Sequence, residues 1–152
     1  MAVKFFIPES DDRVDPGYNF ELDCYAEERV DPLEHDQYAH ELLGAPSADG
    51  ILVTRSNIKA TRQEKIKKAG GIRSFLRAPH NVEMMGDCGA FQYRNEEEPP
   101  YSCEETCSFY DEIGFDYGMT LDHMIFEFDE EYDASTTLFG KEPTEEMHHR
   151  RD

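Results

Sequence analysis

The feature that most constrains this chain is an alternation that begins at residue 50. "GILVTR" (50–55) is a continuous aliphatic and β-branched run, as expected of a strand buried on both faces. A basic stretch follows, with Ser56 or Asn57 as its N-cap and Gly70-Gly71 as its stop. "VEMMGD" (82–87) is a second apolar run. After the loop "RNEEEPPY", Ser102 and Glu105 form an S-x-x-E capping box. Thr106, Phe109, Tyr110 and Ile113 then recur at helical spacing until Gly114. "DYGMTLD" (116–122) is a further strand. Strand, helix, strand, helix, strand is the pattern of βαβ units and a parallel sheet.

The N-terminal third is less regular. "VKFFIP" (3–8) alternates and is closed by Pro8, so it predicts a short strand over 3–7. "ESDDRVDPGYNFELD" reads as a polar loop with the turn signal Asp15-Pro16-Gly17. Residues 24–44 carry a weak helical pattern, with Tyr38, Leu42 and Leu43 on one side and Gly44 as a stop. "IRSFLR" (72–77) fits a strand or a helix by periodicity alone. The segment from 127 to 152 is acidic and broken by Gly140 and Pro143.

A chain of 152 residues has room for a real core, since chains of this size bury roughly 70% of their unfolded surface. No stretch approaches the apolar length of a membrane span, and "MAVKFFIPES" lacks a signal-peptide pattern. The expectation is a soluble, cytoplasmic protein with no membrane partner. Its four cysteines, Cys24, Cys88, Cys103 and Cys107, then read as reduced thiols. Cys103 and Cys107 share a helix face and suggest half a metal site, but no second pair lies nearby. Packing thiols are the expectation, and no metal is assigned.

The net charge of −19 is unevenly spread. Residues 55–77 hold eight of the fifteen Lys and Arg against a single Glu, whereas both flanking segments are strongly acidic. So acidic a chain is repelled by nucleic acid at long range, and any phosphate contact must be local. Arg55, Lys59 and Arg62, with Lys65, Lys67 and Lys68, are the footprint for it. The bland alternative is a solvated helix face.

Asp87 and Asp122 each stand at the C-terminal end of a predicted parallel strand, as do Arg55 and the Asp11-Asp12 pair. Parallel α/β folds bind ligands at that end, so two carboxylates from successive strands would face one crevice. An aspartate there also has an ordinary reading as a helix cap or Asx turn. Around Asp87, however, Gly89 and Ala90 remove bulk and let a flat ligand or a backbone approach closely. Phe91 supplies a wall, or else part of the core.

"GDCGAFQ" resembles the Asp-Ser-Gly-Gly-Phe-Gln motif of the guanine transglycosylases, which exchange a guanine in nucleic acid for a 7-deazaguanine. The similarity continues through "SCEETCSFYDEIGFDYGMTLDH" (102–123) and back through "GGIRSFL" (70–76), which is helical in the family. "KFFIP", "DDRVDPGYNF", "GILVTR" and "MGDCGAF" are most similar to the branch that modifies DNA, the deoxypurine-in-DNA protein A group. The resemblance covers most of residues 3–128.

It implies a (β/α)8 TIM-type barrel, of which this chain carries about the first four strands. Residues 1–128 would be the N-terminal half, and 129–152 an acidic segment leading into the next helix ("TEEMHHRR"). Asp87 then matches the aspartate of proton transfer and Asp122 the one that recognises the exchanged base. Cys88, Gly89, Phe91 and Gln92 fall in the base-binding motif, with Gln92 on the base's other edge. Guanine and its 7-deaza analogues offer N1–H and N2–H₂ donors, which ionised carboxylates accept. Two carboxylates on one base raise each other's pKa, which suits a proton shuttle.

The chain departs from the pattern at three positions. Cys88 replaces serine, Ala90 replaces the second glycine, and His123 stands where tRNA-specific members carry an acidic residue. His123 by itself reads as structural. The family's covalent nucleophile, a third aspartate, and its zinc ligands belong to the second half. Asp129, Asp133 and Asp152 match no part of the nucleophile's surroundings. The resemblance therefore implies a split or truncated DNA-guanine transglycosylase, inactive alone, with DNA and a 7-deazaguanine as co-substrates and a second chain to complete the barrel. The rival is a non-catalytic acidic protein whose charge imitates nucleic acid.

Overall fold

The computed structural model describes residues 3–10, 12–43, 48–96 and 98–124. Asp11, Gly44 and the whole segment 129–152 lie outside the described residues. Strand β1 (Phe6–Glu9) leads to a loop that holds β2 (Arg13–Val14), α1 (Pro32–His35), β3 (Gln37–Tyr38) and α2 (Ala39–Leu42). Strand β4 (Gly50–Thr54), helices α3 (Ala60–Ala69) and α4 (Ile72–Phe75), β5 (Glu83–Asp87), α5 (Cys103–Ile113) and β6 (Tyr117–Gly118) follow. Short 3-10 turns cover Arg55–Asn57 and Ala90–Tyr93.

Strands β1, β4, β5 and β6 form one sheet, in that order, and every pairing is parallel. The spatial order repeats the chain order with no reversal, as in a singly wound barrel and unlike a doubly wound sheet. The fold is a four-stranded part of a (β/α) barrel. The edge strand β1 contains Pro8, which has no N–H to give a ladder, a position where proline is tolerated.

Strand alternation sorts the side chains onto two faces. On one, Ile51, Val53 and Met84 pack with Ile66, Ile72, Leu76, Phe109, Tyr110 and Ile113 from the helices, all buried. Gly86 and Gly118 make room there for Tyr110. A Cβ at Gly86 would lie 2.5 Å from the Tyr110 ring, and one at Gly118 would lie 2.2 Å from it. The Tyr110 hydroxyl donates to the Met119 carbonyl at 3.1 Å, so one side chain pins α5 across β5 and the end of β6. The other face carries Leu52, Thr54, Met85 and Asp87, all half-exposed.

The capping box at Ser102 and Glu105 is formed as expected. Gly70 and Gly114 close their helices in the left-handed conformation, and "IRSF" is helical.

Several boundaries differ from expectation. The first strand runs over Phe6–Glu9, because Phe5 is tied to Asp49 (N to Oδ2, 2.7 Å) and pairing starts at Phe6 with Gly50. The last strand is only Tyr117–Gly118; β5 turns away after Asp87, so Thr120 and Leu121 have no strand to pair with. Neither Ser56 nor Asn57 caps α3: both lie in a 3-10 turn, Ile58 is buried, and Lys59 is the N-cap with no side-chain bond. The helix over 24–44 is broken into two single turns around β3, with Asp31 capping the first and Pro32 opening it. Tyr38 is buried but Leu42 and Leu43 are exposed. Within the supposed polar loop, Arg13–Val14 pairs antiparallel with Gln37–Tyr38. No helix among the described residues is long and apolar enough to cross a membrane.

Candidate base-binding site

Asp87 is the last residue of β5, directly across from Thr54 of β4. The Thr54 hydroxyl donates to Asp87 Oδ2 at 2.9 Å, which orients the carboxylate and leaves Oδ1 without a partner among the described residues. The chain then turns sharply. Gly89 adopts φ +88°, and a Cβ there would lie 3.0 Å from Ser56 Oγ and 3.2 Å from Thr54 Cγ2. The small residue thus lets the turn sit against the end of β4. Its surroundings are protein rather than an opening for a ligand.

Cys88 and Tyr93 face inward from this turn and are buried with Ala90, against Tyr101, Leu121 and Met124. The Cys88 thiol donates to Asp122 Oδ1 at 2.9 Å. The Tyr93 hydroxyl donates to the Asp122 main-chain carbonyl at 3.0 Å, and its oxygen lies 3.4 Å from Cys88 Sγ. Asp87 and Asp122 are therefore brought to the same end of the sheet, one by sequence and the other by a bond to its neighbour. Both charges are felt at Tyr93: burial first, then Cys88, Asp122 and Asp87, push its phenol far above the usual value. Burial, followed by the bond to Asp122, also pushes the Cys88 thiol up. Both groups stay protonated donors at neutral pH.

Phe91 is 55% exposed, so it is no part of the core. The Arg94 guanidinium lies 4.6 Å from its ring centroid. Gln92 is exposed on the same turn. His123 takes the structural role, with Nε2 2.8 Å from the Glu96 carbonyl and its ring edge-on to Tyr93.

The basic footprint divides. Arg55 lies 3.6 Å from the Tyr101 ring centroid and donates to Thr106 Oγ1 at 2.7 Å. Arg62 pairs with buried Glu9 at 3.0 Å. Both guanidiniums serve the fold by joining strand ends to helices, whereas Lys59 is exposed. Cys103 and Cys107 are exposed, and no group of three or more His, Cys, Asp or Glu among the described residues is gathered to hold a metal ion.

Among the described residues, two grooves lie beside the sheet. One lies beside β1 and includes Asp12, Tyr38 and Leu43. The other lies between α5 and β6. Neither contains Asp87 or Asp122. Thr54 and Tyr93 are not among the candidates that the sequence offers. Thr54 was findable as the residue ending the neighbouring strand; Tyr93 carried no signal beyond its place at the end of "GDCGAFQY".

No family model matches the chain. It is similar to a protein named DNA-guanine transglycosylase from Salmonella montevideo, with 36% identity over an alignment of 159 positions. That alignment takes in 99% of this chain and 37% of the relative. The chain thus spans little more than a third of the relative's length. The resemblance drawn from "GDCGAFQ" and its flanks is borne out: this chain is homologous, along nearly all of its own length, to a DNA-guanine transglycosylase.

Proposed function

We propose that this chain supplies the base-recognising part of a site that exchanges guanine in DNA for a 7-deazaguanine. The observation that carries the reading is the bond from Cys88 to Asp122, which gathers two carboxylates at the carboxyl end of a parallel sheet. Asp122 is exposed there and Asp87 half-buried. As acceptors, they suit the N1–H and N2–H₂ edge of guanine. Phe91 and Gln92, exposed on the same turn, are in place to line the base.

The chemistry is an exchange of equals. A carboxylate oxygen attacks C1′, the bond from C1′ to guanine N9 breaks, and its electron pair leaves with the base. The departing guanine takes a proton that Asp87 relays. An incoming 7-deazaguanine gives up its N9 proton to the same relay and attacks C1′, freeing the nucleophile. One glycosidic bond is lost and one gained, so no redox cofactor is needed. The target nucleotide has to leave the stack to expose C1′.

By resemblance, the attacking aspartate comes from the remainder of the barrel. That remainder would join beside β6, at the edge of the described sheet, either as more of the same polypeptide or as a second chain. The four unbridged thiols suit a reducing, cytoplasmic setting.

Calorimetry with guanine and 7-deazaguanine tests the reading. Charge-assisted hydrogen bonds to a base suggest that Asp87→Asn and Asp122→Asn each lose roughly 10- to 100-fold in affinity. The 152 residues alone are expected to incorporate no labelled 7-deazaguanine into duplex DNA. Unchanged affinity in both variants would contradict the assignment.

A further inference from the structure

We propose that Cys88 and Tyr93 are positioning residues that fix where Asp122 stands relative to Asp87, so that one turn sets the geometry of the whole carboxylate pair. The inference rests on Asp122 being the base-recognising carboxylate and goes beyond that reading. Resemblance alone would make Cys88 a contact to the base.

Asp122 cannot owe its place to the sheet. Strand β6 ends at Gly118, and the last ladder bond runs from Met119 N to the Gly86 carbonyl at 2.8 Å. Between Thr120 and Met124 the chain has no regular structure. It is held instead from the side, by the turn that follows β5. Leu121 and Met124 pack on Cys88, Ala90 and Tyr93. The carboxylate of Asp122 is fixed by the Cys88 thiol, and its carbonyl by the Tyr93 hydroxyl.

Tyr93 has one hydroxyl proton, and the carbonyl at 3.0 Å is a better acceptor than the thiol at 3.4 Å. The two donors therefore do not compete: one sets the backbone and the other the side-chain torsion. Cys88 is only 1% exposed while Asp122 is exposed. A base reaching Asp122 therefore meets the carboxylate and not the sulfur. A thiol is a weak donor, but the charge on its partner strengthens the bond.

The test compares Cys88→Ala, Cys88→Ser and Tyr93→Phe with the unaltered chain. The carbon-13 signal of the Asp122 carboxyl group is read without ligand, and binding of guanine and of hypoxanthine, which lacks the 2-amino group, is measured by calorimetry. Loss of one charge-assisted bond predicts about a tenfold drop in guanine affinity for Cys88→Ala, with a smaller preference over hypoxanthine. Cys88→Ser keeps a donor and restores both the signal and the preference, which a role in packing alone would not require.

Tyr93→Phe removes one hydroxyl and little volume. It is expected to shift the Asp122 amide and carboxyl signals even if Cys88→Ala folds poorly. An Asp122 signal unchanged in both Cys88→Ala and Tyr93→Phe overturns the proposal. If the unaltered chain binds no guanine, the functional reading fails. The ligand-free signals still decide whether the tether exists.

Discussion

Replacing Gly89 with alanine tests how closely the site and the fold are joined. Gly89 and Gly70 share φ +88° but differ in surroundings. A Cβ on Gly70 meets nothing nearer than Ser74 Oγ at 4.0 Å, whereas one on Gly89 meets Ser56 Oγ at 3.0 Å and Thr54 Cγ2 at 3.2 Å. The left-handed backbone costs a non-glycine residue about 1–2 kcal/mol at either position. Crowding adds a second cost at Gly89 alone. Ser56 can rotate aside, but Thr54 is held by its bond to Asp87, so the added cost falls near the lower end of the roughly 1–3 kcal/mol of overpacking. Gly70→Ala should lower stability by about 1–2 kcal/mol and Gly89→Ala by about 2–3 kcal/mol. Guanidinium unfolding of both variants measures the difference. Gly89→Ala should also weaken guanine binding by displacing Thr54, while Gly70→Ala leaves it unchanged. Equal losses of stability in the two variants would refute the claim that the turn is pressed against the end of β4.

Two further outcomes follow from the described contacts. Ser102→Ala removes one side of a reciprocal cap at α5 and should cost about 1 kcal/mol, read as a lower unfolding midpoint. The loop before α2 should loosen in acid. Burial pushes Asp15 up, but the Ala26 and Gly17 amides and His35 outweigh it, and the bidentate Arg29 pair lowers Asp36. Both carboxyls thus sit below their usual range, so their contribution is present above about pH 4 and is lost as pH falls through the depressed values. Amide exchange of residues 15–36 at falling pH checks this, and Asp36→Asn should flatten the response.

The parallel strands and α5 were legible in the sequence because their signals are local. "GILVTR" and "VEMMGD" are continuous apolar runs, and the capping box and Gly114 bracket α5 within a dozen residues. The β2–β3 ribbon was not legible: two residues on each side leave no periodicity, and 22 residues separate Val14 from Gln37. The partners of two basic residues were hidden for a similar reason. Arg55 and Arg62 fall in one basic segment of the sequence, yet their partners Thr106 and Glu9 lie 51 and 53 residues away. Asp87 could be placed at a strand end from pattern alone, whereas Asp122 lies four residues beyond the end of β6. The tether between them was not legible, since Cys88 and Asp122 meet only after the turn and the segment after β6 have folded together.

The most direct measurement is a crystal structure of the chain with 7-deazaguanine bound. The account predicts one base lying between Asp87 and Asp122, with its donor edge within about 2.6–3.2 Å of the Asp122 carboxylate, and with Cys88 still bonded to Asp122. A base seated in either flanking groove, or touching neither aspartate, would contradict it.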